Sequence, residues 1–385
     1  MSSLMQEMGE KALALGIPLT VQLDLTYRCN ERCVHCYLDH DDHGEMTTTE
    51  YKKLLDELAE AGVFFLTMSG GEIMLRKDFF EILEYARLKH MFSVKLKTNA
   101  VLIREREAAR LRELGVESVQ ISIYSHREHV HDGITLLPGS LARSIEAARF
   151  LKSQGLQVML ADVLMRQNHQ DYSGVKALAA EMGVRFFLDP TITPMMDGDR
   201  GVLSLNVEQD VLQKTFRDEG LVGNVEEFCA APKGATEDDM ESYPCSAGHT
   251  FCYVSPYGDV YPCVQFPLPS GNVRRTPFAE IWNHSPQLNE VRDIQLKDLP
   301  SCSQCAHGST CTRCPGLAFL EGNMRGPSTQ DCEKSFARTG IPSKNLEAKR
   351  AGRSVGHGHS HGMGAGLIQI QGVSLAPAAA SALPS

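Results

Sequence analysis

Three cysteines fall within eight residues, at Cys29, Cys33 and Cys36 of the segment CNERCVHCY. Thiolates this closely spaced suit an iron–sulfur cluster or a zinc ion. Three ligands leave a tetrahedral metal one open position, and an open position can take a substrate or cofactor. Two plainer readings stand beside this one: three core cysteines, or a zinc site completed by His35, His40 or His43. A second set lies far along the chain, at Cys245, Cys252, Cys263, Cys302, Cys305, Cys311, Cys314 and Cys332. Paired C-x2-C spacings with further thiols at a distance signal metal, as zinc ribbons or as clusters. Of the twelve cysteines none occurs from 37 to 228, and Cys229 stands apart from both patterns.

The rest of the composition narrows the setting. The N-terminus carries Glu7 and Glu10 within its apolar stretch and lacks a small-residue cleavage site, so it does not read as a secretory signal. A reducing, cytoplasmic compartment follows as the expectation, where metal or redox chemistry is favoured over disulfides. No run of about 18 apolar residues is present, so no membrane span is expected. The net charge is −10, with 38 basic and 48 acidic residues and no basic block. Nucleic-acid binding by phosphate neutralisation is therefore not expected.

The elements that must position these residues alternate. Strands are expected at 19–26, 63–68, 93–98, 118–124, 157–164 and 184–189. Helices are expected at 47–61, 77–89, 104–114, 139–154 and 172–182. The first opens on TTTE, a capping-box pattern, and three of the others end at Gly115, Gly155 and Gly183. Such βα steps imply a parallel sheet with helices outside, open or curled into a partial barrel. Chemistry in such folds gathers at the C-terminal ends of the strands. Four successive tips carry unusual polar residues: the cysteine loop, Ser69-Gly70-Gly71-Glu72, Lys97-Thr98-Asn99, and Gln120 with Ser122. One shared site is expected there. The glycines are expected to let the backbone approach a ligand closely. Beyond residue 222 the alternation stops.

CNERCVHCY directly after a strand, with SGGE one βα unit later, closely resembles the radical SAM superfamily. The resemblance implies a partial (β/α)6 TIM-like barrel. It implies that Cys29, Cys33 and Cys36 hold a [4Fe–4S] cluster whose fourth iron chelates S-adenosylmethionine. Reduction then yields a 5′-deoxyadenosyl radical that abstracts hydrogen from a substrate. His35 takes the place of an aromatic near the adenine. Ser69, Gly70, Gly71 and Glu72 form the SAM-binding tip, with the two glycines and Glu72 on the methionyl ammonium. Asn99 and Ser122 are implied to contact ribose or methionine, and Arg143 the carboxylate. Where the family has TNG, this chain has Thr98-Asn99-Ala100.

The second set resembles a SPASM extension, which holds two auxiliary [4Fe–4S] clusters. Cys245, twelve residues, Gly258, four residues and Cys263 fit its pattern. The later block departs once, with two residues instead of three between Cys311 and Cys314. The family's ligation implies Cys245, Cys252, Cys263 and Cys314 for the first auxiliary cluster, and Cys302, Cys305, Cys311 and Cys332 for the second. Both would then be fully ligated by thiolate, which favours electron-transfer or structural roles. The implied division is a helical segment at 1–18, the barrel at 19–222, the SPASM extension at 223–340 and a low-complexity tail at 341–385.

The segment ISIYSHREHVHD resembles peptide maturases, implying cross-linking, oxidation or epimerisation of a ribosomally made peptide or protein side chain. Sulfatase maturases and tetrapyrrole-modifying enzymes share the architecture. A reading of another class is a metal or electron carrier without SAM chemistry, which has no need of SGGE. The implied partners are the substrate, a flavodoxin- or ferredoxin-type electron donor, and a separate leader-recognition protein, because the 28 residues before Cys29 are few. Asp162 and Asp189 on the fifth and sixth strands are candidates to move a substrate proton. The run GHGHSHG at 356–362 could bind metal incidentally.

Overall fold

The computed structural model describes residues 3–351; the His-rich run at 356–362 lies outside them. Helix α1 (Ser3–Leu15) precedes the sheet. Six strands then run parallel: β1 (Thr20–Thr26), β2 (Phe65–Gly70), β3 (Ser93–Thr98), β4 (Ser118–Ser122), β5 (Gln157–Val163) and β6 (Arg185–Asp189). Helices α2 (Thr48–Glu60), α3 (Phe79–Glu84), α4 (Glu105–Glu113), α5 (Glu128–Thr135), α6 (Ser140–Ser153) and α7 (Tyr172–Met182) connect them. The expected α/β architecture is present, with strands in sequential order and the sheet left open.

Local chemistry explains the elements. Thr47 caps α2: its hydroxyl accepts from the Glu50 N–H, and the Glu50 carboxylate accepts from the Thr47 N–H at 2.7 Å. Tyr51 of α2 donates to the Asp24 and Leu25 carbonyls, pinning that helix to β1. On each strand alternate residues face the helices, among them Val21, Leu23 and Leu25 of β1, Leu66 and Met68 of β2, and Val119 and Ile121 of β4. These are essentially buried, each contributing about 1.5–3 kcal/mol of transfer free energy. The intervening residues, including Gln22, Asp24, Ser69 and Lys97, turn to the opposite, concave face.

Three features depart from expectation. The helix expected at 77–89 breaks after Glu84 and continues as one wide turn, Tyr85–Lys89. Helix α5 lies in a stretch where no helix was expected. Most consequentially, the cysteine-rich extension continues the sheet. Strand β7 (Phe251–Val254) pairs parallel with the free edge of β1, and β8 (Asp259–Tyr261) and β9 (Gly271–Asn272) follow antiparallel. The sheet thus has nine strands, with β1 interior between β2 and β7. No described helix is long and apolar enough to cross a membrane.

Candidate active site at the strand tips

The cysteine loop is held from three sides. At its base a bulge in β1 sets Thr26 opposite Gly70. Glu45 accepts from the Thr26 hydroxyl at 2.6 Å and from the Tyr27 N–H at 2.9 Å. Buried Arg76 donates to the Leu25 carbonyl and to Asp78. On its far side the loop pairs like a strand with the end of α5: Arg32 N–H to the Thr135 carbonyl and Val34 N–H to the Ile134 carbonyl, both 3.0 Å.

The third side is the SGGE tip. Gly71 N–H donates to the Thr26 carbonyl at 2.7 Å, and Glu72 N–H to the Arg28 carbonyl at 2.9 Å. A Cβ on Gly70, whose φ is +133°, would stand 2.2 Å from the Thr26 oxygen; one on Gly71 would stand 2.3 Å from the Arg28 oxygen. These glycines allow the tip to close onto the chain itself. Ser69, at the end of β2, is 5% exposed.

Glu72 is fully buried and braces its own tip to that of β3. It accepts from the Met74 N–H at 3.0 Å, the Thr98 hydroxyl at 2.7 Å and the Asn99 N–H at 2.9 Å. Burial raises its carboxyl above the usual range, and these donors oppose the rise. Asn99 reaches the cysteine loop, donating to Asn30 Oδ1 at 2.9 Å with Cys29 Sγ at 3.7 Å. Its neighbour Ala100 sits at φ +63°, where the family places glycine.

His35 meets the Tyr124 ring edge-on at 4.7 Å, and Ser122 lies near enough to Tyr124 to oppose the rise that burial causes in its hydroxyl's pKa. His35 and Ser122 therefore converge through a tyrosine. Burial drops the His35 pKa to about 4, so its ring is neutral at physiological pH. Arg143 is engaged otherwise: it donates to the Gly139 and Pro138 carbonyls, both at 2.9 Å, and pins the turn into α6. Its charge still reaches Glu31. Burial raises the Glu31 pKa to about 7, and Arg143 opposes the rise.

Buried polar atoms without partners collect at this loop: Asn30 Nδ2, Glu31 Oε1 and His35 Nδ1. Such atoms call for a polar group that the chain does not supply. Burial pushes the Cys29 thiol up to about 12 and raises Cys33 and Cys36 as well. A bound cationic metal centre reverses that preference. His40 bonds the Tyr27 carbonyl at 3.2 Å through Nδ1, and His43 bonds Asp39 at 3.0 Å through Nε2. The donor set fits a three-thiolate cluster with a polar molecule beside it.

The two candidate acids differ. Asp162 shares the parity of Val158 and Leu160, so it faces the helix layer, not the concave side. It is fully buried, takes one hydrogen bond from Asn168 at 2.9 Å, and burial raises its carboxyl well above the usual carboxylate range. That placement corrects the expectation of a lumen-facing base. Asp189 falls on the concave parity but accepts from the Thr191 N–H at 2.9 Å. The concave acid that was missed is Asp24. It accepts from Gln22 at 3.2 Å and from the Tyr253 hydroxyl at 3.0 Å, while Tyr253 and Tyr27 hydroxyls lie 2.5 Å apart. Burial raises the Asp24 pKa to about 6. Its signal was present in the strand VQLDLT, where a charge interrupts apolar residues at the period-two position.

In the extension, Cys302, Cys305, Cys311 and Cys332 line one cavity of about 180 Å³. Arg313, 7% exposed, also lines it, with Nη1 lacking a partner. A second group lies near Cys263: like charge from Cys314 and Cys263 adds to the burial that raises the Cys245 thiol, and Cys263 does the same to Cys252. Cys252 itself lies in the apolar core. Cys229 donates to the Phe216 carbonyl at 3.4 Å, apart from both groups. The extension meets the barrel beyond β6, where Gln265 donates to Thr193 at 2.8 Å and Lys334 to Thr191 at 3.1 Å.

An open parallel sheet with a braced three-cysteine loop at its tips defines the class, and comparison with known proteins agrees. Residues 23–179 match the radical SAM superfamily, and residues 245–315 match the SPASM iron–sulfur cluster-binding domain. Mycofactocin maturase MftC of Mycobacterium ulcerans is 30% identical over 338 residues, covering 84% of this chain and 89% of that protein. AdoMet-dependent heme synthase of Methanosarcina barkeri is 27% identical over 325 residues, covering 78% and 92%. The structure of Streptococcus suis SuiB bound to precursor peptide SuiA matches with a TM-score of 0.67 at 17% identity, covering 85% and 80%, a likeness of fold. The chain belongs to the radical SAM superfamily and carries a C-terminal SPASM domain. It is an enzyme of that superfamily.

Proposed function

We propose that this enzyme cleaves S-adenosylmethionine reductively and abstracts hydrogen from a ribosomally made peptide or protein side chain. The observation that carries the reading is the SGGE tip packed on the cysteine loop, which holds three buried polar atoms without partners. When bound, the cluster and S-adenosylmethionine supply a 5′-deoxyadenosyl radical at the strand tips. Cys29, Cys33 and Cys36 hold the cluster. Asn30, Glu31 and His35 present the free polar atoms, and Glu31 is the acid available to an ammonium group. Glu72 positions Asn99 and the SGGE backbone. His35 and Tyr124 form an aromatic wall, and Ser122 lies beside it.

The peptide assignment is supported by the relatives named as mycofactocin maturases and by the fold shared with SuiB. A tetrapyrrole substrate is the second reading, favoured by the similarity to heme synthase and to Fe-coproporphyrin III synthase of Methanosarcina barkeri, 30% identical over 333 residues. Eight cysteines of the extension supply two further cluster sites on this reading, with a flavodoxin- or ferredoxin-type donor delivering electrons in the cytoplasm.

The test is anaerobic reconstitution with iron and sulfide, reduction by dithionite and addition of S-adenosylmethionine. 5′-Deoxyadenosine is expected, and its absence would overturn the enzymatic reading. Deuterium transfer from labelled precursor peptide, set against Fe-coproporphyrin III, separates the two substrates.

A further inference from the structure

Arg313 stands between the two cysteine groups of the extension. It follows Thr312 in the shortened spacing from Cys311 to Cys314. Its side chain lines the cavity of Cys302, Cys305, Cys311 and Cys332, and Cys314 is not part of that lining. The Cys314 Sγ lies instead 3.9 Å from Gln265 Oε1 and accepts from the Leu317 N–H at 3.5 Å. One step along the chain therefore separates a side chain at one group from a side chain at the other.

The guanidinium is anchored but short of one partner. Arg313 Nε donates to the Gly326 carbonyl at 3.0 Å, and Nη2 donates to the same carbonyl at 2.7 Å and to the Met324 carbonyl. These bonds fix the plane of the group, while Nη1 is buried without a partner. The acid that shares the cavity wall, Asp331, is engaged elsewhere: it pairs with Lys334 at 2.7 Å and accepts from the Cys314 N–H at 2.8 Å. Arginine does not shed its proton in a protein. A buried cation held only by neutral carbonyls is costly, and an anionic group in the cavity offsets that cost. The same group gives Nη1 its missing acceptor.

We infer that Arg313 sets the reduction potential of the second auxiliary cluster by donating from Nη1 to one of its sulfurs. The inference rests on the proposal that the extension holds clusters. Reduction by one electron from a low-potential donor adds one negative charge to an already anionic cluster, and no bond forms or breaks. A fixed cation beside the cluster favours the reduced form, as do hydrogen bonds to its sulfurs. Arg313 is a positioning residue in this role, since it acts on the cluster's electron affinity and touches no substrate.

Two measurements test this in the full chain carrying Cys29→Ala, Cys33→Ala and Cys36→Ala, which removes the ligands of the first cluster. The reconstituted protein should hold about eight irons. In the first measurement its arginines are labelled with ¹⁵N, it is reduced with titanium(III) citrate, and pulsed electron paramagnetic resonance is recorded. A ¹⁵N coupling to a reduced cluster is expected, and it should vanish in Arg313→Lys. In the second, redox titrations follow both auxiliary clusters. Arg313→Gln should lower the reduction equilibrium constant of one of them by about tenfold, or about 59 mV for a one-electron couple. Arg313→Lys, which keeps the charge, should lower it less. Loaded protein with no ¹⁵N coupling, coupling that survives Arg313→Lys, or both couples unmoved in iron-replete Arg313→Gln overturns the inference alone. Should Arg313→Gln fail to hold iron, the ¹⁵N measurement decides by itself. A parent variant that binds no iron overturns the auxiliary-cluster proposal beneath it.

Discussion

Gly71 shows how little room the strand tips leave. An added methyl group there would press on the Arg28 carbonyl at 2.3 Å, and that carbonyl also receives the Glu72 N–H. Gly71→Ala is expected to push the cysteine loop away and destabilise the protein by about 1–3 kcal/mol. Iron analysis should show loss of the first cluster's four or so irons, while circular dichroism stays native. Glu72 is equally constrained, because all its partners are donors. Glu72→Gln sets an NH2 against one of them, at a cost of about 1–3 kcal/mol. A lowered thermal midpoint together with weaker S-adenosylmethionine binding is the expected result. Asp24 gives a pH signature. Its ordinary pKa is 3.8, and burial raises it to about 6 against the opposing effects of the Gln22 and Tyr253 hydrogen bonds and the more distant Lys97. Between those values the folded chain keeps a proton that the unfolded chain has lost. The contribution is full below about pH 4 and is lost as pH rises through about 6. Asp24→Asn should therefore be more stable than wild type at pH 8, by on the order of 2–3 kcal/mol. Denaturant midpoints should show the gap shrinking by pH 5; an equal gap at both pH values would refute it.

At the scale of elements, α5 matters most for the loop. Its end supplies the carbonyls that pair with Arg32 and Val34. Asp132 locks that end, accepting from the Ser140 hydroxyl at 2.8 Å, the Leu141 N–H at 3.1 Å and the Gly139 N–H. Asp132→Ala removes a cap of the α6 entrance, costing about 1–2 kcal/mol. Its distinctive consequence is faster chelator extraction of the first cluster, which Asp132→Asn should largely restore. The strands were legible in the sequence because their apolar runs alternate with amphipathic helices. Helix α5 was not, because its histidines, Asp132 and Gly133 make a poor helix that tertiary contacts hold in place. Those same contacts make the segment part of the site.

Across the whole molecule, the sheet joins the two halves. β7 adds to β1, so the strand leading into the first cysteine loop also carries the extension. The Cys302–Cys332 region has no comparable sheet support, and four of its thiols surround a cavity of about 180 Å³. Metal binding in such a region is coupled to folding. Iron removal is expected to expose 300–340 to limited proteolysis before the barrel is cut, with mass spectrometry locating the first cleavages. First cleavage within 65–189 would count against it.

Residue types and spacing by themselves determined where metal or redox chemistry is concentrated: three clustered thiols, a Gly-Gly-Glu tip one βα unit later, and a cysteine-rich extension. These are local patterns, readable because a loop's ligands lie close together in the chain. Tertiary structure decided which residues are free to act. It turned Asp162 toward the helices, drew Arg143 onto its own turn, made Glu72 a brace, and placed Cys252 in the helix-side core. Each outcome depends on strand parity or on partners distant in sequence. A one-residue change in parity moves a side chain from one face of a sheet to the other, and cysteine spacing between separate segments carries no record of that.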